Sequence, residues 1–76
     1  MKYVWTILKE KYPHNSDSFE ISIEKVFGSK DAAEHYVQGK YKEAIKADLS
    51  ENNIMYEIDS HDATIYISVR KVEIEF

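Results

Sequence analysis

The sequence predicts an α+β fold of order ββαββ: a four-stranded, mostly antiparallel sheet with one helix packed on one face. Three observations lead there. Apolar residues alternate with polar ones at period two early and late in the chain, most cleanly in Phe19-Glu20-Ile21-Ser22-Ile23-Glu24. A single stretch, from Ser29 to about Asp48–Ser50, places apolar residues at helical spacing. Turn-forming residues around Pro13-His14-Asn15, at Gly28, at Glu51-Asn52-Asn53 and at Ser60-His61-Asp62 separate these runs.

The first strand is expected over residues 2–9. Tyr3, Trp5 and Ile7 share one face and Val4, Thr6 and Leu8 the other, so it should be central in its sheet. Residues 10–18 read as a long exposed loop in which His14 has no evident partner. The second strand, 19–27, should turn Phe19, Ile21 and Ile23 toward the helix and Glu20, Ser22 and Glu24 outward. The alternation blurs at Lys25-Val26-Phe27, which a bulge or the strand end explains.

Gly28 then turns the chain, Ser29 is the expected N-cap, and Asp31 complements the helix dipole. Ala33, Val37, Tyr41, Ala44 and Ile45 form the buried helix face, with Tyr36 at its margin. Gly39, in mid-helix, signals a kink or a close contact. The third strand, 54–59, puts Ile54, Tyr56 and Ile58 on one side. The last, 63–76, changes parity: Ile65, Ile67 and Val69 on one face, Val72, Ile74 and Phe76 on the other. Either a bulge near Arg70-Lys71 rotates the later residues inward, or the sheet is apolar on both faces.

The 76 residues make one domain, residues 1–76, with stability of roughly 3–5 kcal/mol. No cysteine is present, so disulfides and thiolate metal sites are excluded, and a cytoplasmic setting is expected. A net charge of −4 argues against direct nucleic-acid binding, which needs a basic face. Neither a membrane-spanning run nor the apolar core of a signal peptide is present, so no membrane partner is expected.

Chemistry is scarce. Glu57-Ile58-Asp59-Ser60-His61-Asp62 concentrates carboxylates and an imidazole, and metal-dependent hydrolysis at Asp59, His61 and Asp62 would use them. The spacing fits no established metal loop, and the same residues suit a tight turn, so no metal site is assigned. His35, beside Glu34 and Tyr36, reads as a solvated helix residue. There is no nucleophile elbow, phosphate-binding glycine loop or zinc-helix motif, so no catalytic residue, cofactor or enzymatic activity is expected. Tyr3, Trp5, Tyr56 and Tyr66 could stack bases, but the strands carry carboxylates where phosphates need bases.

Two features exceed an ordinary small domain. Val4, Leu8, Met55, Tyr66, Val72, Ile74 and Phe76 make the second sheet face too apolar to be left in water, which points to a partner surface. Carboxylates also recur on the strands, at Glu20, Glu24, Glu57, Asp59, Glu73 and Glu75, as edge protection or as a surface for a basic partner.

The junction Val26-Phe27-Gly28-Ser29-Lys30-Asp31-Ala32-Ala33 resembles that of small bacterial and phage ββαββ proteins, in which a strand ends in a turn and a Ser-Lys-acid start opens the helix. The resemblance implies a small cytoplasmic protein that inhibits a host protein, defence systems included. Together these readings give a non-enzymatic protein-binding module, a homodimer, whose partner is a basic nucleic-acid-binding host protein. Its contact residues are Tyr66, Val72, Ile74 and Phe76, with Glu20, Glu24, Glu73 and Glu75. The alternative is a homodimer that holds a small ligand between its sheets near His61, Arg70 and Lys71.

Overall fold

The structure, a computed structural model, describes residues 2–74. Its order is ββαβββ: β1 (Lys2–Pro13), β2 (Glu20–Phe27), α1 (Lys30–Lys40), β3 (Ile45–Leu49), β4 (Asn53–Asp59) and β5 (Ala63–Ile74). The strands form one five-stranded antiparallel sheet in the order β2-β1-β5-β4-β3. Helix α1 links one edge strand to the other and covers one face. The class is the expected α+β; the fifth strand is the departure. No helix among the described residues is long and apolar enough to cross a membrane.

The extra strand comes from a helix shorter than its apolar pattern. Ser29 caps it as expected: its Oγ accepts from the Ala32 N–H at 3.2 Å, and Asp31 sits in the first turn. The helix stops at Lys40, where the Tyr41 N–H closes the last turn on the Val37 carbonyl at 2.8 Å. Gly39 lies in that last turn, where its low helix propensity weakens continuation, and nothing approaches the place its Cβ would occupy. From Ile45 the backbone pairs with β4 instead, Ile45 opposite Glu57 and Lys46 opposite Tyr56. Ala33 and Val37 are buried under the helix, with Tyr36, Tyr41 and Ala44 packed at its rim. Ile45, expected on that buried face, is 73% exposed on the β3 edge.

β1 runs on to Pro13, beyond the expected end at residue 9, because β5 supplies a partner along its whole length, from Lys2↔Ile74 to Pro13↔Ala63. As expected it is flanked on both sides, and the last strand is its second neighbour. That ladder has no bulge, so the parity change in β5 is real. Ile65, Ile67 and Val69 face the helix, and Val72 and Ile74 face away. The sheet is therefore apolar on both faces.

β2 reverses expectation. Its pairing with β1 slips between Ile7↔Lys25 and Leu8↔Ile23, leaving Glu24 as the extra, bulged residue. Below the bulge Lys25 and Phe27 lie on the helix side, opposite Ile7 and Trp5. Above it Ile21 and Ile23 lie opposite Glu10 and Leu8, on the far side. Ile21, Ile23 and Val26 are 53%, 65% and 51% exposed. Glu24 points toward the helix. The one-residue slip turns over the part of the strand that precedes Glu24.

The core lies between helix and sheet: Trp5, Ile7, Ala33, Val37, Ile54, Tyr56, Ile58, Ile67 and Val69. With one face uncovered the molecule is extended, 43 × 24 × 19 Å, with a radius of gyration of 13.0 Å, against about 11 Å for a compact chain of this length. On the far face Ser68 is fully buried among its neighbours, and its hydroxyl has no hydrogen-bond partner among the described residues. An unpaired buried hydroxyl costs about 1–3 kcal/mol. Ser68→Ala is expected to stabilise the fold by about 1 kcal/mol and raise the melting midpoint by about 4–8 °C. A lowered midpoint in a thermal melt would show that the hydroxyl is satisfied.

Candidate interaction surface

The register of the four longer strands fixes what the uncovered face presents, because residues opposite each other in antiparallel strands share a side. Successive rows cross the strands. The middle row is Ile23, Leu8, Ser68 and Met55. On one side of it lie Val26, Thr6, Arg70 and Asn53, followed by Val4 with Val72 and then Lys2 with Ile74. On the other side lie Ile21, Glu10, Tyr66, Glu57 and Ile45, followed by Tyr12, Thr64 and Asp59.

The face thus has an apolar centre and opposite electrical ends. Glu10, Glu57 and Asp59 make one end negative; Arg70 sits on the other side of the central row. Tyrosine chemistry registers the negative end. The hydrogen bond from the Tyr12 hydroxyl to Glu10 pushes the Tyr12 phenol upward from 10.0, and the charge of Glu57 does the same to Tyr66. Phe19 stacks on Tyr12 with ring centroids 5.6 Å apart, and Tyr12 meets Tyr66 edge-on at 5.8 Å, so three rings gather there. Apolar area of this extent is unusual on a surface left to solvent.

Neither sheet edge is a comparably good docking site. β2 carries the Glu24 bulge, and β3 has five residues with a register shift between Lys46 and Asp48. Short and bulged edges resist strand addition.

On the helix side a polar cluster ties α1 to β2. The Glu24 carboxylate accepts from the Tyr41 hydroxyl and, at 3.0 Å, from the Tyr36 hydroxyl, and it pairs with Lys40 Nζ at 3.2 Å. Lys25 and Lys40 stand over the Tyr36 ring at 5.1 and 5.6 Å. Burial alone would raise the Glu24 pKa; the hydrogen bonds from Tyr41, Tyr36 and Lys40 outweigh it and hold the carboxyl below 4.5. Burial and the bond to Glu24 push the Tyr41 phenol up to about 12. A general acid or base should titrate near neutrality, and these groups move away from it, so the geometry is that of a clamp.

The hairpin ends are equally structural. His14, expected without a partner, donates its backbone N–H to the Asp62 carbonyl at 3.0 Å, and its ring meets Thr64 Oγ1 at 3.0 Å and Asp59 at 3.9 Å. Ser60 closes the β4–β5 turn on Ala63. Among the described residues no three acids and histidines converge as metal ligands.

Of the contact residues expected from the sequence, Tyr66, Val72 and Ile74 share the uncovered face, Tyr66 on one side of the middle row and Val72 and Ile74 on the other. Glu20 and Glu73 lie opposite Lys11 and Tyr3, on the helix side, and Glu24 is in the clamp. Glu75 and Phe76 lie outside the described residues. Trp5 and Tyr56 are buried under the helix and offer no stacking surface. Sequence reasoning missed Phe19, Ile21, Ile23 and Val26 as surface residues, as well as the Glu24 clamp. The blurred alternation at Lys25-Val26-Phe27 was the signal for both, because a bulge there inverts all that precedes it. Comparison with family models, curated proteins and solved structures finds no match.

Proposed function

We propose that this chain is a non-enzymatic protein-binding module whose contact surface is the uncovered sheet face. The observation that carries the reading is the row structure of that face: a middle row of Ile23, Leu8, the buried Ser68 and Met55, bordered by Ile21 and Val26, with Val72 one row further out, and with carboxylates on one side and Arg70 on the other. A complementary protein surface is apolar in the middle, presents a base to Glu10 and Glu57, and presents an acid to Arg70. Of the carboxylates on which binding of a basic partner would rest, Glu57 and Asp59 lie on this face, where Glu10 joins them.

A photo-reactive amino acid at Ile23, compared with one at the exposed helix position His35, tests the reading. Protein cross-links are expected from Ile23 and not from His35. Equal yields from the two positions, or none from Ile23, would remove the uncovered face as the contact surface.

A further inference from the structure

We propose that the protein surface seated on the uncovered face is a second copy of this chain, packed face to face about a twofold axis that runs across the strands along the Ile23–Leu8–Ser68–Met55 row. The proposal rests on the binding role just assigned to that face and names its occupant.

Symmetry decides the arrangement. In a twofold contact each copy presents the same patch, so the patch must complement itself. Two in-plane axes are available to stacked sheets. An axis along the strands lays the row that holds Glu10 and Glu57 on the same acidic row of the second copy, and like charges brought so near repel. An axis across the strands reverses one sheet against the other. The middle row then meets itself: Ile23, Leu8 and Met55 are each apolar on apolar, and the buried Ser68 lies over its own copy. The row on one side of it meets the row on the other, so Arg70 of each copy comes over the partner's Tyr66, between the partner's Glu10 and Glu57. This supplies two identical sets of charge-paired contacts, and a guanidinium over a phenol ring flanked by carboxylates is favourable on both counts. On β2, Ile23 lies over the same residue of the second copy and Ile21 over the valine at position 26 of that copy, rather than over water.

The size also fits. The strands β2, β1, β5 and β4, of 8, 12, 12 and 7 residues, present roughly 600 Å², which counted on both copies reaches the ~1,200 Å² at which specific interfaces begin. Both sheet edges are blunted, so the face is the surface through which two sheets can meet. Sheets packed this way lie about 10 Å apart, within reach of an arginine side chain.

Three proteins test the proposal by light scattering and sedimentation over a concentration series, each first shown to be folded by its thermal transition. The wild type is expected to form a dimer. Arg70→Glu sets like charges against each other twice and is expected to weaken the dimer by about tenfold or more. Arg70→Glu combined with Glu10→Lys and Glu57→Lys restores opposite charges across this axis alone, so the triple variant is expected to dimerise again; about an axis along the strands it would stay monomeric. A wild type that is monomeric up to about 1 mM, a dimer indifferent to Arg70→Glu, or a folded triple variant that remains monomeric would overturn the proposal. Cross-linking from Ile23 separates this failure from failure of the binding role. Links between two copies accompany the dimer. A monomer that links to a different protein through Ile23 rejects the second copy and keeps the surface.

Discussion

Ile7→Ala is expected to remove most of the stability of the protein, and Ile23→Ala is expected to remove almost none, although the two residues lie on adjacent strands and the sequence gives them the same apolar role. Ile7 is completely buried between the sheet and α1, in the cluster with Trp5, Val37, Ile67 and Val69. Deleting its outer carbons loses their transfer energy and leaves a cavity, at a cost of about 2–5 kcal/mol. A domain of this size has roughly 3–5 kcal/mol in total, so the variant should be largely unfolded or melt at a much lower temperature. Ile23 is turned to the opposite face, 65% exposed, and its truncation should change stability by about 0.5 kcal/mol or less. Denaturant titration at a concentration low enough to keep chains apart is the measurement. If Ile23→Ala costs as much as Ile7→Ala, β2 faces the helix and the uncovered surface described above is wrong.

That contrast shows where the sequence was legible. β4 reads correctly because its alternation is uninterrupted: Ile54, Tyr56 and Ile58 are buried, and Asp59 is exposed. The start of α1 reads correctly because Ser29 carries a local capping signal. The polarity of β2 could not be read from alternation. Period two says which residues share a side, but only the register with β1 says which side that is. A single bulged residue, Glu24, sets that register. The end of α1 was hidden for a related reason. Residues 41–49 satisfy the helical apolar pattern as far as Ile45, yet pairing with β4 along Ile45–Leu49 competes with it and wins once Gly39 has weakened the last turn. The surplus of apolar residues on a second face was visible from composition and parity. Its arrangement into a surface with an acidic and a basic side emerges only from the register of the strands.

The Glu24 clamp gives the second large effect, with a sign in pH that separates it from ordinary surface charge. Glu24→Ala strips two partly buried phenol hydroxyls of their acceptor and is expected to cost about 2 kcal/mol. The pairing with the half-exposed Lys40 adds little to this. Because the folded protein holds the Glu24 carboxyl below its ordinary value of 4.5, its stabilisation is fully present above that value. It is lost as pH falls through the lower, folded pKa. Tyr41 gives the opposite limb. Its phenol is raised from 10.0 to about 12, so the stabilisation of the neutral form is complete below 10.0 and is lost as pH rises toward 12. Wild type should therefore lose stability at both extremes. Glu24→Gln should flatten the acid limb, and Tyr41→Phe the alkaline one. A wild-type and a Glu24→Gln curve that stay parallel below pH 4.5 would mean that the carboxylate does not hold the helix. The bulge that carries Glu24 would then need another reason to lie where it does. The clamp supplies that reason: an extra residue in β2 is the device that sends one carboxylate under the end of α1 and, by the same half-turn of the strand, sends Ile21 and Ile23 out to the face where a partner can bury them.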